Sequence, residues 1–155
     1  MKIYFAAPLF THAERNWNQQ LADTLLKEAP NIQMFLPQVD ADVFLADGQI
    51  DLSSVYSRCI QGVDEADVLV AVLDGADVDS GTAFECGYAF AKGKPIIGIR
   101  TDIREGEDQG MNLMLCRSLK KLITLPANTG GSRNISDLAH QIIQAIADVT
   151  SQSQL

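Results

Sequence analysis

Apolar residues in this chain are gathered into short continuous runs that alternate with longer amphipathic segments. Strands of a parallel sheet are covered on both faces and are apolar throughout, so the continuous runs predict buried strands. The predicted strands cover residues 2–7, 32–36, 68–73, 96–99 and 122–125. Helical spacing of apolar residues, with capping residues before it and Gly or Pro after it, predicts helices over residues 12–28, 52–64, 82–92, 112–119 and about 136–149.

Segments that lack either period are predicted to be loops or a tail. They are the acidic and small residues 37–48, the charged stretch 101–110, the glycine-rich stretch 128–133 and the polar end beyond about 150. Strands that alternate with helices at this spacing predict an α/β fold. We expect a Rossmann-like (flavodoxin-like) doubly wound sheet of about five mainly parallel strands with helices on both faces, in a single domain over residues 1–155.

Composition narrows the class of protein. A chain of 155 residues fits one domain of ordinary size. Its formal net charge of -8 would repel a phosphate backbone, which argues against nucleic acid or an anionic membrane as a partner. The apolar stretch over residues 3–10 is too short for a membrane span. Three widely spaced cysteines indicate neither a disulfide framework nor a zinc site, so a reducing cytoplasm is the expected location.

The loops that follow the strands are the candidate sites, because open α/β sheets bind ligands at the carboxyl ends of their strands. The first predicted strand is followed by Pro8-Leu9-Phe10, without a GxGxxG pattern, and the chain contains no GxxxxGK followed by Ser or Thr. The sequence therefore argues against a dinucleotide-dependent dehydrogenase and against a P-loop enzyme.

The most informative segment follows the third predicted strand. Asp79 or Ser80 is placed to cap the next helix, which puts Glu85 in its first or second turn, where the helix macrodipole favours an ionised carboxylate. An ionised carboxylate suits a nucleophile, and Gly81 and Gly87 leave space for a substrate beside it. The same spacing is equally compatible with acids that only cap the helix and glycines that only serve packing.

Three motifs, in order along the chain, resemble the nucleoside 2-deoxyribosyltransferase family. The first is Ile3-Tyr4-Phe5-Ala6 with Phe10, the second runs from Asp79-Ser80-Gly81-Thr82 through Glu85-Cys86-Gly87-Tyr88-Ala89 to Gly93-Lys94-Pro95, and the third is Asn112-Leu113-Met114. The resemblance extends from residue 2 to about residue 146.

The resemblance implies a retaining two-step transfer of a 2-deoxyribosyl group between nucleobases, without a cofactor or a metal. It implies that Glu85 attacks the anomeric carbon and forms a covalent intermediate. Asp79 would contact the substrate near the leaving base and relay a proton, and the Tyr4 hydroxyl would orient the nucleophile. A 2'-deoxynucleoside and a free nucleobase would then be the small-molecule partners.

Further residues complete the implied substrate site. Phe10 is expected to form an apolar wall for the base, and Ser80 and Gly81 are expected to lie against the substrate. Asn112 and Met114 match residues that family members insert from a neighbouring subunit, which implies a dimer or a larger homo-oligomer.

Other assignments depend on position and leave alternatives open. Gln38, just after the second predicted strand, is expected to contact the base. Cys59 stands where family members place a base-facing aspartate, whose hydrogen bonding a thiol does not reproduce, so the base preference stays open. Tyr4 and Phe10 are also compatible with plain core residues, and Asn112 with a helix cap.

Two other functions are compatible with the sequence. A hydrolase on the same scaffold would use water in place of the second base and cleave 2'-deoxynucleosides or their 5'-monophosphates. The apolar first loop and Asp79 disfavour a 5'-phosphate, whereas Arg15 and Arg58 would attract one. A catalytically silent nucleotide-binding domain is the second alternative.

Overall fold

Five parallel strands form the centre of the part of the chain that the structure describes. The structure is a computed structural model and describes residues 1–42, 45, 47–102, 104, 111–124 and 134–151. The strands are β1 (Lys2–Ala6), β2 (Gln33–Phe35), β3 (Val68–Val72), β4 (Ile96–Arg100) and β5 (Lys121–Thr124). The helices are α1 (His12–Glu28), α2 (Pro37–Asp40), α3 (Leu52–Glu65), α4 (Ser80–Ala91), α5 (Leu113–Ser118) and α6 (Ile135–Ser151).

The predicted strands and helices are all present, with ends within about two residues of those expected. The predicted loop over residues 37–48 is wrong at its start, where α2 forms with Pro37 in its first turn. Proline has a φ suited to a first helical turn and lacks an N–H that would be unpaired there. The predicted loop over 128–133, most of the loop over 101–110 and the tail beyond 151 lie outside the described residues.

The strand order is β2-β1-β3-β4-β5, and every neighbouring pair is parallel. The chain first places β2 on one side of β1 and then returns to the other side of β1 to place β3. A reversal of this kind is the switch point at which open α/β sheets bind ligands, beyond the carboxyl ends of the strands. The doubly wound α/β fold predicted from the sequence is confirmed.

Alternate residues of β1 face two separate hydrophobic cores. Ile3 and Phe5 belong to the core that the sheet forms with α1 and α6. Tyr4 and Ala6 belong to the opposite core, which includes Cys86 and other buried residues of α3, α4 and α5. The period of two along a strand therefore fixes which helices surround the Tyr4 side chain. Within the described segments, no helix combines the length and the apolarity needed to cross a membrane.

Candidate active site

A tyrosine and a glutamate that are distant in sequence meet beside the switch point. The Tyr4 side chain is fully buried on β1, and its hydroxyl donates a hydrogen bond of 2.5 Å to Oε1 of Glu85 on α4. The two residues are 81 positions apart, so the contact depends on the packing of α4 against the sheet. A hydrogen bond to an ionised carboxylate is shorter and stronger than one between neutral groups. The hydrogen bond engages one oxygen of the Glu85 carboxylate, Oε1.

Burial determines the protonation of Glu85. Removal from water raises the pKa of this carboxyl from 4.5 to about 7, and the charge of Asp79 also raises it, whereas the Tyr4 hydrogen bond lowers it. The ionised carboxylate expected from the helix macrodipole is therefore not the favoured state at mildly acidic pH. Glu85 lies in the second turn of α4, beyond the unpaired N–H groups of the first turn, and desolvation outweighs the effect of the helix end.

Asp79 is the residue that caps α4. Its Oδ2 accepts hydrogen bonds from the Thr82 backbone N–H at 2.9 Å and from the Thr82 hydroxyl at 3.1 Å. A Cβ added to Gly81 would lie 3.2 Å from the same oxygen, so glycine fits the tight approach of this carboxylate. Ser80 and Gly81 are exposed. The capping role leaves Asp79 Oδ1 available, so capping and substrate contact are compatible.

A buried arginine stabilises the loop that leads to α4. Arg100, at the end of β4, is 3% exposed and donates to the carbonyl oxygen of Leu73 at 2.6 Å and to that of Gly75 at 3.4 Å. Asp74 accepts hydrogen bonds from the backbone N–H groups of Thr101 and Asp102. The loops after β3 and β4 are thereby joined at the carboxyl edge of the sheet. Sequence reasoning missed this role of Arg100, because its partners are backbone carbonyls without a side-chain signature.

Gln38 belongs to a buried polar cluster. Its Oε1 accepts from Asn18 Nδ2 at 3.1 Å, and its Nε2 donates to the Arg15 carbonyl oxygen at 3.0 Å. Asn18 also donates to the Pro8 carbonyl oxygen at 2.9 Å. The Gln38 amide is thus engaged within the protein on both of its polar atoms, and its contact with a base stays a prediction.

Hydrogen bonds join the first loop to the start of α1. The Glu14 carboxylate accepts from the backbone N–H groups of Phe10 at 3.0 Å and Thr11 at 2.8 Å, and Thr11 caps α1 in return. Phe10 lies in this hydrogen-bonded turn, and 77% of its surface is exposed. The structure therefore excludes Phe10 from the core, which was one of its two sequence interpretations, and leaves its ring available to a ligand or a partner.

Asn112 and Met114 lie on another side of α4. Asn112 caps α5 by accepting from the Met114 N–H at 2.9 Å. Both residues line a cavity of about 520 Å³, whose lining also includes Ala83 and Gly87 of α4. Glu85 is about 200° around the helix axis from Ala83, so it points away from this cavity. In one chain, the structure brings together Tyr4, Asp79 and Glu85 but does not bring Asn112 and Met114 to them.

Helix α3 packs against the Tyr4 side of the site. Cys59 is partly buried there, and burial raises the pKa of its thiol. A Cβ added to Gly62, one turn later, would lie 3.0 Å from Tyr4 Cε2 and from Phe35, whose ring stacks on Tyr4 at 5.3 Å. Among the described residues, no group of His, Cys, Asp and Glu side chains is arranged to hold a metal ion.

Comparisons of the sequence with known proteins give a family model and a related protein. A family model described as nucleoside 2-deoxyribosyltransferase matches residues 3–114. An uncharacterised protein of Ureaplasma parvum serovar 3 is 34% identical over 102 residues, a match that spans 62% of this chain and 63% of the length of that protein.

Solved structures share the fold over most of the chain. A conserved protein from Enterococcus faecalis V583 is 27% identical with a TM-score of 0.74, covering 93% of this chain and 98% of that one. A 2-deoxyribosyltransferase from Bacillus psychrosaccharolyticus is 23% identical with a TM-score of 0.64, covering 90% of each chain. These structures share the arrangement of sheet and helices described above.

Proposed function

Because the chain belongs to the nucleoside 2-deoxyribosyltransferase family, we propose that it transfers the 2-deoxyribosyl group of a 2'-deoxynucleoside from one nucleobase to another. The observation that supports this most is the 2.5 Å hydrogen bond between the buried Tyr4 hydroxyl and Glu85 Oε1. A carboxylate that only capped a helix would not require a buried phenol as its partner. Here the phenol fixes a carboxylate at the switch point of the sheet.

Glu85 is the nucleophile in the proposed reaction. Its free carboxylate oxygen attacks the anomeric carbon, the glycosidic bond breaks, and the bonding electrons leave with the base. The product is a deoxyribosyl ester of Glu85. A second base then attacks the same carbon from the other face, and the carboxylate leaves. Two displacements at one carbon restore its original configuration.

Asp79 is proposed to serve the departing base. A nucleobase leaves more readily when a proton reaches the ring nitrogen that carried the sugar, and a carboxylate within reach relays that proton from solvent. Asp79 Oδ2 is occupied by Thr82, so Oδ1 is the oxygen for this proton. When the second base attacks, the same oxygen accepts the proton that the base gives up.

Phe10, Ser80 and Gly81 are proposed to line the base and sugar subsites. All three are exposed. Phe10 follows β1, which carries Tyr4, and Ser80 and Gly81 begin α4, which carries Glu85. Asn112 and Met114 are proposed to complete the site of a neighbouring subunit, which requires a homo-oligomer. Their position on the other side of α4 from Glu85 supports a contribution to another copy rather than to their own site.

A nucleoside is proposed as the substrate in preference to its 5'-monophosphate. The Arg15 guanidinium already donates to the carbonyl oxygens of Leu9 at 3.5 Å and Gln38 at 3.2 Å, so it is engaged by the first loop. The formal charge of -8 would also disfavour a dianionic phosphate. Cys59, Cys86 and Cys116 form no disulfide, which is compatible with the reducing cytoplasm expected as its location.

Product analysis tests the reaction class. The protein is incubated with a 2'-deoxynucleoside, with and without a different free base, and the products are separated by chromatography. A new nucleoside that forms only when the second base is present is the expected result. If base is released at the same rate with and without the second base and no new nucleoside forms, the protein is a hydrolase and not a transferase. No turnover of nucleosides or monophosphates would favour a binding domain.

A matched pair of variants tests the nucleophile. Glu85→Gln keeps an acceptor for the Tyr4 hydroxyl and removes the nucleophilic charge, so turnover should be lost with the fold intact. Glu65→Gln makes the same chemical change at an exposed glutamate paired with Lys2 and should retain turnover. Full activity of Glu85→Gln would refute the assignment.

A further inference from the structure

Two side chains from the end of β4 hold the start of the loop between β3 and α4. The buried Arg100 donates through Nη1 to the carbonyl oxygen of Leu73 at 2.6 Å, and through both Nη atoms to that of Gly75 at 3.4 Å. Asp102 Oδ2 accepts from the Gly75 N–H at 3.0 Å. Both polar groups of the Gly75 backbone therefore have a partner in or just after β4.

Further contacts along this loop lead to Asp79. Gly75 has a φ of +111°, and a Cβ there would lie 2.7 Å from the carbonyl oxygen of Asp77. Only glycine adopts such a backbone conformation without strain. Val78 packs against the hydrophobic core that contains Tyr4, and Asp79 follows it directly as the cap of α4. The backbone from Gly75 to Asp79 is thus held at its start, in its middle and at its end.

The chemistry of Arg100 suits this task better than it suits the filling of space. In the described part of the chain, its hydrogen-bond acceptors are all backbone carbonyl oxygens. Neutral acceptors offset less of the lost hydration of a buried charge than a carboxylate would. A guanidinium carries its donors in a rigid plane, so it can fix two carbonyl groups relative to each other. We read the costly buried charge as a sign that the position of this loop matters.

We infer that Arg100 is a positioning residue for Asp79 and acts through the loop that begins at Leu73. The inference rests on the proposed function, in which Asp79 relays a proton to the departing base. Such a group must lie within hydrogen-bond distance of the base, and a misplacement of about 1 Å costs up to about 100-fold in rate. Glu85 has a separate support, the Tyr4 hydroxyl on β1. A shift of the loop should therefore affect Asp79 more than the nucleophile.

A double-mutant cycle on kcat tests whether Arg100 acts through Asp79. The full-length protein is assayed with the 2'-deoxynucleoside and free base that the wild type turns over fastest. Arg100→Lys keeps the positive charge but lacks the planar donors that bridge two carbonyl groups. Asp79→Asn keeps an oxygen that can cap α4 and removes the carboxylate that relays the proton.

The two substitutions should not be additive. Asp79→Asn should lower kcat by about 100-fold, the size of a lost acid–base group. Arg100→Lys should lower kcat by about tenfold in the presence of Asp79, as expected for a misplaced group. In the Asp79→Asn background, Arg100→Lys should lower kcat by less than about twofold, because no proton relay remains to be positioned.

A second variant and a matched control accompany the cycle. Asp102→Ala removes the partner of the Gly75 N–H and leaves Arg100 in place, so it should show the same dependence on Asp79 even if Arg100→Lys fails to fold. Lys121→Arg makes the reverse exchange at an exposed residue at the amino end of β5, on the opposite edge of the sheet from Arg100. Its kcat should equal that of the wild type.

The outcomes separate a positioning role from a structural one. Equal losses of kcat from Arg100→Lys with and without Asp79→Asn would overturn the inference, because Arg100 would then act on the whole site. A lower unfolding temperature with unchanged kcat would overturn it as well, and so would full activity of Asp79→Asn. In each of these cases the wild type still transfers the deoxyribosyl group. A wild-type protein that turns over no nucleoside would instead overturn the proposed function and the positioning role with it.

Discussion

Glutamine in place of Glu85 should stabilise the free protein while it removes activity. The substitution keeps an oxygen that accepts from Tyr4 and deletes a charge that is buried near Asp79. The pKa of Glu85 is about 7 in the folded protein, against an ordinary value of 4.5. Between these values the folded chain holds a proton that the unfolded chain has lost, so the free energy of unfolding falls as pH rises through this window.

The size of the effect follows from the two pKa values. Each pKa unit corresponds to about 1.4 kcal/mol, so the ionised carboxylate costs about 3 kcal/mol of stability once the pH is above 7. At pH 5 most of this cost is absent, because folded Glu85 is protonated. The stability advantage of Glu85→Gln should therefore grow by about 2.5 kcal/mol between pH 5 and pH 8. In a domain of this size that is about 5–10 °C in unfolding temperature.

Urea unfolding of wild type and variant across this pH range is the appropriate assay. Glu65→Gln is the control, because the Lys2 partner lowers the pKa of that exposed carboxyl and its replacement should give no advantage that grows with pH. Parallel stability curves for the wild type and Glu85→Gln from pH 5 to pH 8 would refute the reasoning. Such curves would mean that Glu85 is solvated and has an ordinary pKa.

Three further results are expected. The kcat/KM of the wild type should rise with pH around a midpoint near 7, because the nucleophile must be ionised, and a flat profile between pH 5.5 and 8.5 would contradict this. Asp79→Ala should lower the free energy of unfolding by about 1 kcal/mol in urea, whereas Asp79→Ser keeps a capping oxygen and should cost only a few tenths, with turnover reduced in both. Asn18→Ala leaves two buried acceptors without their donor, so the free energy of unfolding should fall by about 2 kcal/mol. KM should also rise more than kcat falls. Equal KM values for variant and wild type would show that this cluster does not act on the substrate loop.

Local patterns in the sequence were sufficient to predict the fold and the strands and helices that carry the candidate site residues. Continuous apolar runs located the strands because both faces of a parallel sheet are covered, and Asp79 followed by Ser80 marked the start of α4. The short helix α2 was missed, since four residues with no side-chain cap provide too little periodicity to recognise. Pro37 was the signal that was available.

The electrostatics of the site depended on contacts between distant segments. The position of Glu85 near a helix start suggested an ionised carboxylate, but its surroundings on β1 and α3 decide its desolvation, and these are distant in sequence. Gln38 followed a strand as a base-contacting residue would, yet its amide is engaged by Asn18, 20 positions earlier. A one-dimensional pattern identifies which residue types are near a strand end, whereas tertiary packing decides which of their polar atoms remain free.

The backbone at Gly62 packs directly against the Tyr4 and Phe35 rings. This contact is steric and involves no polar group. A methyl group added at Gly62 would lie only 3.0 Å from both the Tyr4 and Phe35 rings, so an alanine here would have to push α3 outward or tilt the stacked pair. Either movement would pull the Tyr4 hydroxyl away from Glu85, although the substitution itself replaces no charged or hydrogen-bonding side chain. Among related sequences, residues at positions 62, 4 and 35 are therefore expected to vary together, and a larger residue at 62 should accompany a smaller ring or a different partner for the glutamate. The absence of a side chain at position 62 therefore lets α3 pack against the Tyr4 ring while the Tyr4 hydroxyl stays in contact with Glu85.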